Sequence, residues 1–277
     1  MNYKRILTVQ DISCVGQCSL TVALPILSAC GIETAVLPSA VLSTHTGGFQ
    51  GFTFRDLTDD MPRIVEHWKR ENISFDAVYT GYLGSDSQIS IVEDIAASLM
   101  NPGCPLIVDP AMADNGKLYT GFDERYVQSM KKLVYSADII LPNITEACLL
   151  TGTEYAESYD KKYIDGIIEK LHDGGAKTVV LTGVGYSPRT TGVVVSNEGR
   201  EYYYKHIRYK CGCHGTGDIY ASAFVGAFIN GKTAEQAAVI AADYTLSCIR
   251  VTASDPTHWY GARFEPVLGE LIEKIVK

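Results

Sequence analysis

Rhythm constrains this chain more than any other feature of its sequence. Short apolar runs at residues 6–9, 34–37, 77–80, 106–108, 139–141 and 178–181 alternate with amphipathic segments at 17–30, 62–71, 88–100, 124–134 and 161–172. A βαβα order of this kind predicts an α/β fold, with a mostly parallel sheet covered by helices on both faces. In such sheets ligands bind at the carboxyl ends of the strands. Two stretches break the rhythm. Residues 39–55, rich in Ser, Thr, Gly and Phe, read as extended chain or a flap, with Gly47, Gly48 and Gly51 allowing bends. Residues 190–195 and 202–204 flank a turn containing Asn197 and Gly199, which reads as a hairpin. The last third is helical, at 218–230, 234–250 and 265–276.

Composition narrows the function classes. The 277 residues are 46% hydrophobic and 20% charged, with a net charge of −8. A chain of this length buries a stable core without disulfide or metal staples. The acidity argues against a nucleic-acid backbone binder, but not against a small anionic ligand held by backbone amides. The apolar run at 6–9 is too short for a secretory segment, and no stretch approaches the ~20 residues that span a membrane. The expectation is a cytoplasmic protein whose eight cysteines are reduced, with Cys30, Cys148 and Cys248 in the core.

Chemistry concentrates in two motifs. His214-Gly215-Thr216-Gly217-Asp218 is a glycine-rich loop opening onto a helix. The first amides of a helix lack intrahelical partners and, with the dipole, attract negative charge. Asp218 in the first turn is either an ordinary capping residue or a proton acceptor for a hydroxyl attacking a phosphoryl group. At an ordinary pKa of ~3.9 it is a weak base that accepts the proton late. The second motif, Asn143-Ile144-Thr145-Glu146, reads as a capping box or as groups near a magnesium ion, directly or through water. Asp109, ending the strand at 106–108, and Asp114 five residues on are well placed to join a metal–nucleotide complex.

The ordered set Asp109-Pro110, Asn143-x-x-Glu146 and Gly215-Thr216-Gly217-Asp218 resembles the ribokinase-like family, and within it the vitamin B6 kinases. Ile6-Leu7-Thr8-Val9-Gln10, Ser43-Thr44-His45-Thr46-Gly47 and Tyr79-Thr80-Gly81-Tyr82-Leu83-Gly84 are similar to stretches of those enzymes. The likeness covers residues 5 to 250. It implies a three-layer α/β/α sandwich with a mostly parallel central sheet and a small β flap, a single kinase domain over 1–277 with the flap at about 39–55, and a homodimer. The implied reaction is ATP-dependent phosphorylation of the 5′-hydroxyl of pyridoxal, pyridoxine or pyridoxamine. Asp218 is then the catalytic base, and Gly215, Thr216 and Gly217 form an anion hole. Asp109, Asp114 and Glu146 serve Mg²⁺ and the phosphates, Asn143, Tyr119 and Thr182 lie near the nucleotide, and His45, Thr46 and Tyr82 line the vitamin pocket. A monovalent cation, commonly K⁺, is expected near the anion hole.

The substrate end departs from the pattern. Gln10 is followed by Asp11-Ile12-Ser13 where B6 kinases carry Ser-His. Asp11 with Ser13 resembles the hydroxymethylpyrimidine kinases of thiamine synthesis, so a pyrimidine acceptor is the alternative, and a non-catalytic ligand-binding relic a second one. Cys211-x-Cys213-His214 has the wrong spacing for structural zinc. Cys213 is instead a candidate to add reversibly to the pyridoxal aldehyde, since a thiol beside a helix start has a lowered pKa. Tyr202-Tyr203-Tyr204 reads as a packed strand rather than a base-stacking surface. Gly183-Val184-Gly185 lacks the third glycine and following helix of a dinucleotide fingerprint. The stretch 255–259 reads as a loop without a function.

Overall fold

A computed structural model describes residues 3–197, 199–209, 213–255 and 257–276; Cys211 and Pro256 lie outside the described residues. In chain order the elements are β1 (Arg5–Ser13), α1 (Leu20–Ala29), β2 (Glu33–Leu42), β3 (Phe54–Asp56), α2 (Met61–Arg70), β4 (Val78–Thr80), α3 (Asp86–Ser98), β5 (Leu106–Val108), β6 (Ala113–Asp114) and β7 (Lys117–Leu118). There follow α4 (Glu124–Ser136), β8 (Ile139–Ile140), α5 (Ile144–Thr151), α6 (Lys161–Asp173), β9 (Thr178–Thr182), β10 (Thr190–Asn197), β11 (Arg200–Ile207), α7 (Thr216–Ile229), α8 (Ala234–Thr252), a 3₁₀ turn (Glu265–Val267) and α9 (Leu268–Val276).

The strands form a nine-stranded sheet in the order β11-β10-β9-β8-β5-β4-β1-β2-β3. The six strands from β9 to β2 run parallel, while β3 at one edge and β10 and β11 at the other are antiparallel. Side chains alternate across the pleat with period two. Leu7, Val78, Leu106, Val108, Ile140 and Val179 face α2 to α6 in one core. Ile6, Tyr79, Ile107, Ile139 and Val180 face α1, α7, α8 and α9 in the other. This is the expected three-layer α/β/α sandwich.

Three departures from the sequence reading have local causes. Helix α1 begins at Leu20 rather than residue 17, because Gly16 (φ 117) and Ser19 (φ 53) turn the chain first. Helix α3 begins at Asp86 rather than 88, because the Ser85 side chain accepts the Gln88 amide as an N-cap. The small β6–β7 hairpin was not expected; Asn115 (φ 50) and Gly116 (φ 76) supply the two left-handed residues that such a two-residue turn demands.

Within 39–55, residues up to Leu42 continue β2, and β3 returns against them. The root of this flap is fixed by buried Gln88, whose amide donates to the Ser39 carbonyl (3.0 Å) and Thr58 Oγ1 (2.8 Å). Ser39 Oγ donates to the Tyr82 carbonyl (3.1 Å). Among the described residues no helix is long and apolar enough to cross a membrane. Ile107 is fully buried on a central strand. Ile107→Ala is expected to lower the unfolding free energy by ~2–5 kcal/mol in urea denaturation; a loss below about 1 kcal/mol would contradict this packing.

Candidate active site

The carboxyl ends of the parallel strands deliver the polar residues singled out above to one edge of the sheet. Asp11 and Ser13 come from β1, Thr182 from β9, Tyr82 and Asp109 from just beyond β4 and β5, and Asn143 from the N-cap of α5 that follows β8. The start of α7 lies beside them. Gly215 caps that helix with φ 76 and no side-chain bond. A methyl group at Gly215 would run into the Gln17 carbonyl oxygen, so close approach of two backbones as well as the left-handed φ requires glycine here. The first amide bonded into the helix is that of Ile219, donating to Gly215 O. The amides of Thr216, Gly217 and Asp218 are the open donors of a helix start. A Cβ on Gly217 would meet nothing, which leaves that approach clear.

Asp218 faces Asp109 and Asp11. Burial first, then those two charges, push its carboxyl up to about 7, against the lowering effect of the Ser19 amide. Asp109 is raised well above the carboxylate range by burial and by neighbouring Glu146, with the Ala111 amide (3.2 Å to Oδ1) opposing. Asp11 is raised by burial and steadied by hydrogen bonds from Ser19 and Ser13, the latter at 3.0 Å. Among the described residues, no lysine or arginine forms an ion pair with Asp11, Asp109, Glu146 or Asp218. The weak-base expectation for Asp218 is thereby revised. Held near neutrality, it is matched to take a proton from a hydroxyl at working pH.

Glu146 is almost fully buried and pushed up to about 7 by burial. It completes the capping box: the Asn143 amide donates to Oε2 (2.9 Å), and Asn143 Oδ1 accepts the Glu146 amide (3.0 Å). Oε1 accepts the Met112 amide at 3.1 Å. Asn143 Nδ2 donates to the Ala113 carbonyl (2.8 Å), tying α5 to the β6–β7 hairpin. Asp114, on that hairpin, is exposed and turned onto the Asn115 amide and side chain (2.8 and 2.9 Å). Tyr119, 42% exposed, sits within the field of Glu146, Asp114, Asp109 and Asp218, and its phenol is raised by burial and by these charges. Thr182 bonds the Pro142 carbonyl through its amide and its hydroxyl (2.9 and 3.3 Å).

At the flap, His45 is buried with both ring nitrogens engaged. Nδ1 accepts the Gly47 amide (3.0 Å), and Nε2 lies 2.5 Å from the Tyr260 carbonyl. An amide can only donate and a carbonyl only accept, so the ring is neutral with its proton on Nε2. His45 therefore shapes the flap and offers a ligand its ring rather than a nitrogen. Thr46 is exposed, and Tyr82 packs on Phe122 (5.4 Å) with its phenol raised by burial and by Asp11. His214 is 5.2 Å from the His45 ring, and burial lowers its pKa. Cys213 is half-buried against the core.

Sequence reasoning missed Ser19 and Cys18. Ser19 sits between Asp11 and Asp218 in a left-handed conformation that no local pattern announces. Cys18 lies under Gly215, its thiol pushed up by burial and by Asp218 and Asp11.

Comparison with known proteins shows the family. The family model described as phosphomethylpyrimidine kinase matches residues 28–263. Pyridoxal kinase of Sus scrofa is 33% identical over 61% of this chain and 52% of its own, so that match spans about half the relative's length. The crystal structure of pyridoxal kinase from Lactobacillus plantarum is 31% identical, with a TM-score of 0.90 and coverage of 98% of this chain and 97% of that one. A Bacteroides thetaiotaomicron protein named for phosphomethylpyrimidine kinase, crystallised with pyridoxal, is 37% identical with a TM-score of 0.90 over 98% and 96% of the two chains. The chain belongs to the phosphomethylpyrimidine kinase family, and within the ribokinase-like superfamily it stands with the pyridoxal kinases.

Proposed function

We propose that this chain transfers the γ-phosphoryl group of ATP to the 5′-hydroxyl of pyridoxal, pyridoxine or pyridoxamine. The observation that carries the reading is Asp218. Its carboxyl is held at about 7 in the first turn of α7, beside amides that need an acceptor. The relatives named above supply the acceptor class: one is a pyridoxal kinase and another was crystallised with pyridoxal.

Asp218 accepts the proton of the attacking hydroxyl as the oxygen bonds to phosphorus. The Thr216 and Gly217 amides, with that of Asp218, stabilise charge on the transferring phosphoryl group. Asp11 and Ser13 hold the polar edge of the ring, with Tyr82 and His45 beside it. Asp109, Asp114, Tyr119, Asn143 and Thr182 border the nucleotide. The 39–55 flap excludes water from the transfer.

The acids also fit a divalent cation. Burial raises both Asp109 and Glu146, Glu146 adds to the rise at Asp109, and among the described residues no lysine or arginine pairs with either. Among the described residues no three His, Cys, Asp or Glu side chains converge as a metal cage. That suits Mg²⁺ bound by one or two carboxylates, water and phosphate oxygens. Asp109 would hold the ion, and Glu146, occupied by backbone amides, would act through water. When bound, the ion neutralises phosphate charge. K⁺ near the anion hole, a homodimer, a single kinase domain and a cytoplasmic location are further parts of the proposal, carried by the resemblance.

Coupled ADP release with Mg-ATP and K⁺ tests the reading across pyridoxal, pyridoxine, pyridoxamine and hydroxymethylpyrimidine. Turnover on a B6 vitamer is expected, with kcat at least ~10²-fold lower in Asp218→Asn and ATP binding little changed. Turnover on the pyrimidine alone would assign the chain to thiamine synthesis. A near-normal Asp218→Asn would remove the base assignment. Cys213 is proposed to add through sulfur to the aldehyde carbon of pyridoxal, the carbonyl oxygen taking up the thiol proton. Cys213→Ser should then raise KM for pyridoxal and leave that for pyridoxine unchanged; an equal effect on both would exclude the adduct.

A further inference from the structure

The loop between α8 and the 3₁₀ turn carried no function in the sequence. Its base is internally braced. Asp255 Oδ1 accepts the Thr257 amide and hydroxyl (3.1 and 2.6 Å), and Oδ2 faces Arg263 at 3.4 Å. The Arg263 amide donates to Thr252 Oγ1 on α8 (2.8 Å). Its tip reaches three separate parts of the site. The Ala262 amide donates to the His214 carbonyl (3.0 Å), beside the glycine loop. Gly261 packs on Gln17, so closely that a side chain there would collide with it. The Tyr260 carbonyl accepts the His45 Nε2 proton on the flap.

Trp259 completes the contact with the flap. Its ring is 4.7 Å from that of Phe49, which lies 5.0 Å edge-on from His45. A methyl on Gly48 would approach Trp259 to 2.9 Å, so the flap backbone lies directly on the indole. Yet Trp259 is 50% exposed. A large ring half in solvent, on a braced loop, against a glycine-rich segment is a movable contact on a fixed post.

We propose that Trp259 is a positioning residue that latches the flap, through Phe49 and the Gly48 backbone, over the acceptor substrate. The proposal rests on the kinase reading. It acts on the acceptor side only: the latch holds His45 beside Asp11 and keeps water from the phosphoryl group, while the nucleotide residues Asp109, Asn143 and Thr182 lie on other elements.

The test combines kinetics with fluorescence. Trp68 is the second of the two tryptophans, so Trp68→Phe isolates the Trp259 emission while keeping the latch. Adding saturating vitamer to that protein should change the emission. Trp259→Ala and Phe49→Ala should each raise KM for the vitamer roughly 3- to 10-fold, the scale of one lost aromatic pair, and leave KM for ATP unchanged. ADP formed per vitamer phosphorylated should rise above one, as water enters. The double variant should be no worse than either single one, and Trp259→Phe should restore most of the loss. Emission that ignores the vitamer, multiplying single effects, or an unchanged vitamer KM would each overturn the latch. If Trp259→Ala fails to fold, the Trp68→Phe emission decides alone. Wild-type turnover separates the two claims: an active wild type with normal variants sinks the latch alone, and an inactive wild type sinks the kinase reading and the latch with it.

Discussion

The site is organised by buried carboxylates that, among the described residues, no lysine or arginine pairs with. Asp11 and Asp109 arrive at or just beyond the ends of β1 and β5, Glu146 in the first turn of α5, and Asp218 at the start of α7. Burial, joined by the charges of Asp109 and Asp11 at Asp218 and by that of Asp114 at Glu146, holds both carboxyls near 7. The fold tolerates this because backbone amides of Ser19, Ala111, Met112 and Asn143 face the acids. In the proposed reading, these acids are what a magnesium ion and a reacting hydroxyl would use. Backbone strain is present at the same place: Ser19 keeps a left-handed φ of 53 where it meets both Asp11 and Asp218. Such outliers persist only where the surroundings over-determine them.

The parts legible in the sequence were those encoded by local pattern. Strand and helix periodicity gave the layers, because side chains facing the two cores alternate along each strand. Asn143-x-x-Glu146 forms the capping box it spells, and Gly215 to Asp218 open a helix as written. Ser85-x-x-Gln88 was an available capping signal for α3, and Asn115-Gly116 for the β6–β7 hairpin. The rest depends on tertiary contact. Nothing local reveals that both nitrogens of His45 are used by backbone, that Gly215 is required by the Gln17 carbonyl, or that Trp259 lies on the flap. An acid's ordinary pKa was a poor guide to Asp218, because burial is set by distant elements.

The resemblance stated from motifs and the comparisons converge on one family from different ends. The names met among its relatives, phosphomethylpyrimidine kinase and pyridoxal kinase, both denote kinases of substituted heteroaromatic rings. Asp11 and Ser13, hydrogen-bonded to each other at 3.0 Å, stand where this chain departs from the B6 pattern. Burial raises the Asp11 carboxyl, and in the proposed reading this is the group that meets the polar edge of the acceptor ring.

Unfolding of the ligand-free protein tests this account of the site most directly. Asp218 ionises near 7 when folded against an ordinary 3.8. Its contribution to stability is therefore full at low pH and is lost as pH rises through about 7, where the fold must hold a charge it disfavours. Thermal unfolding of wild type and Asp218→Asn should show wild type losing more stability between pH 5 and pH 8. At pH 8 the variant should melt higher by at least ~2 °C, the shift for roughly 1 kcal/mol in a chain of this size. A variant that melts lower than wild type at pH 8 would show that the carboxylate stabilises the fold, and would contradict the uncompensated cluster on which the site is built.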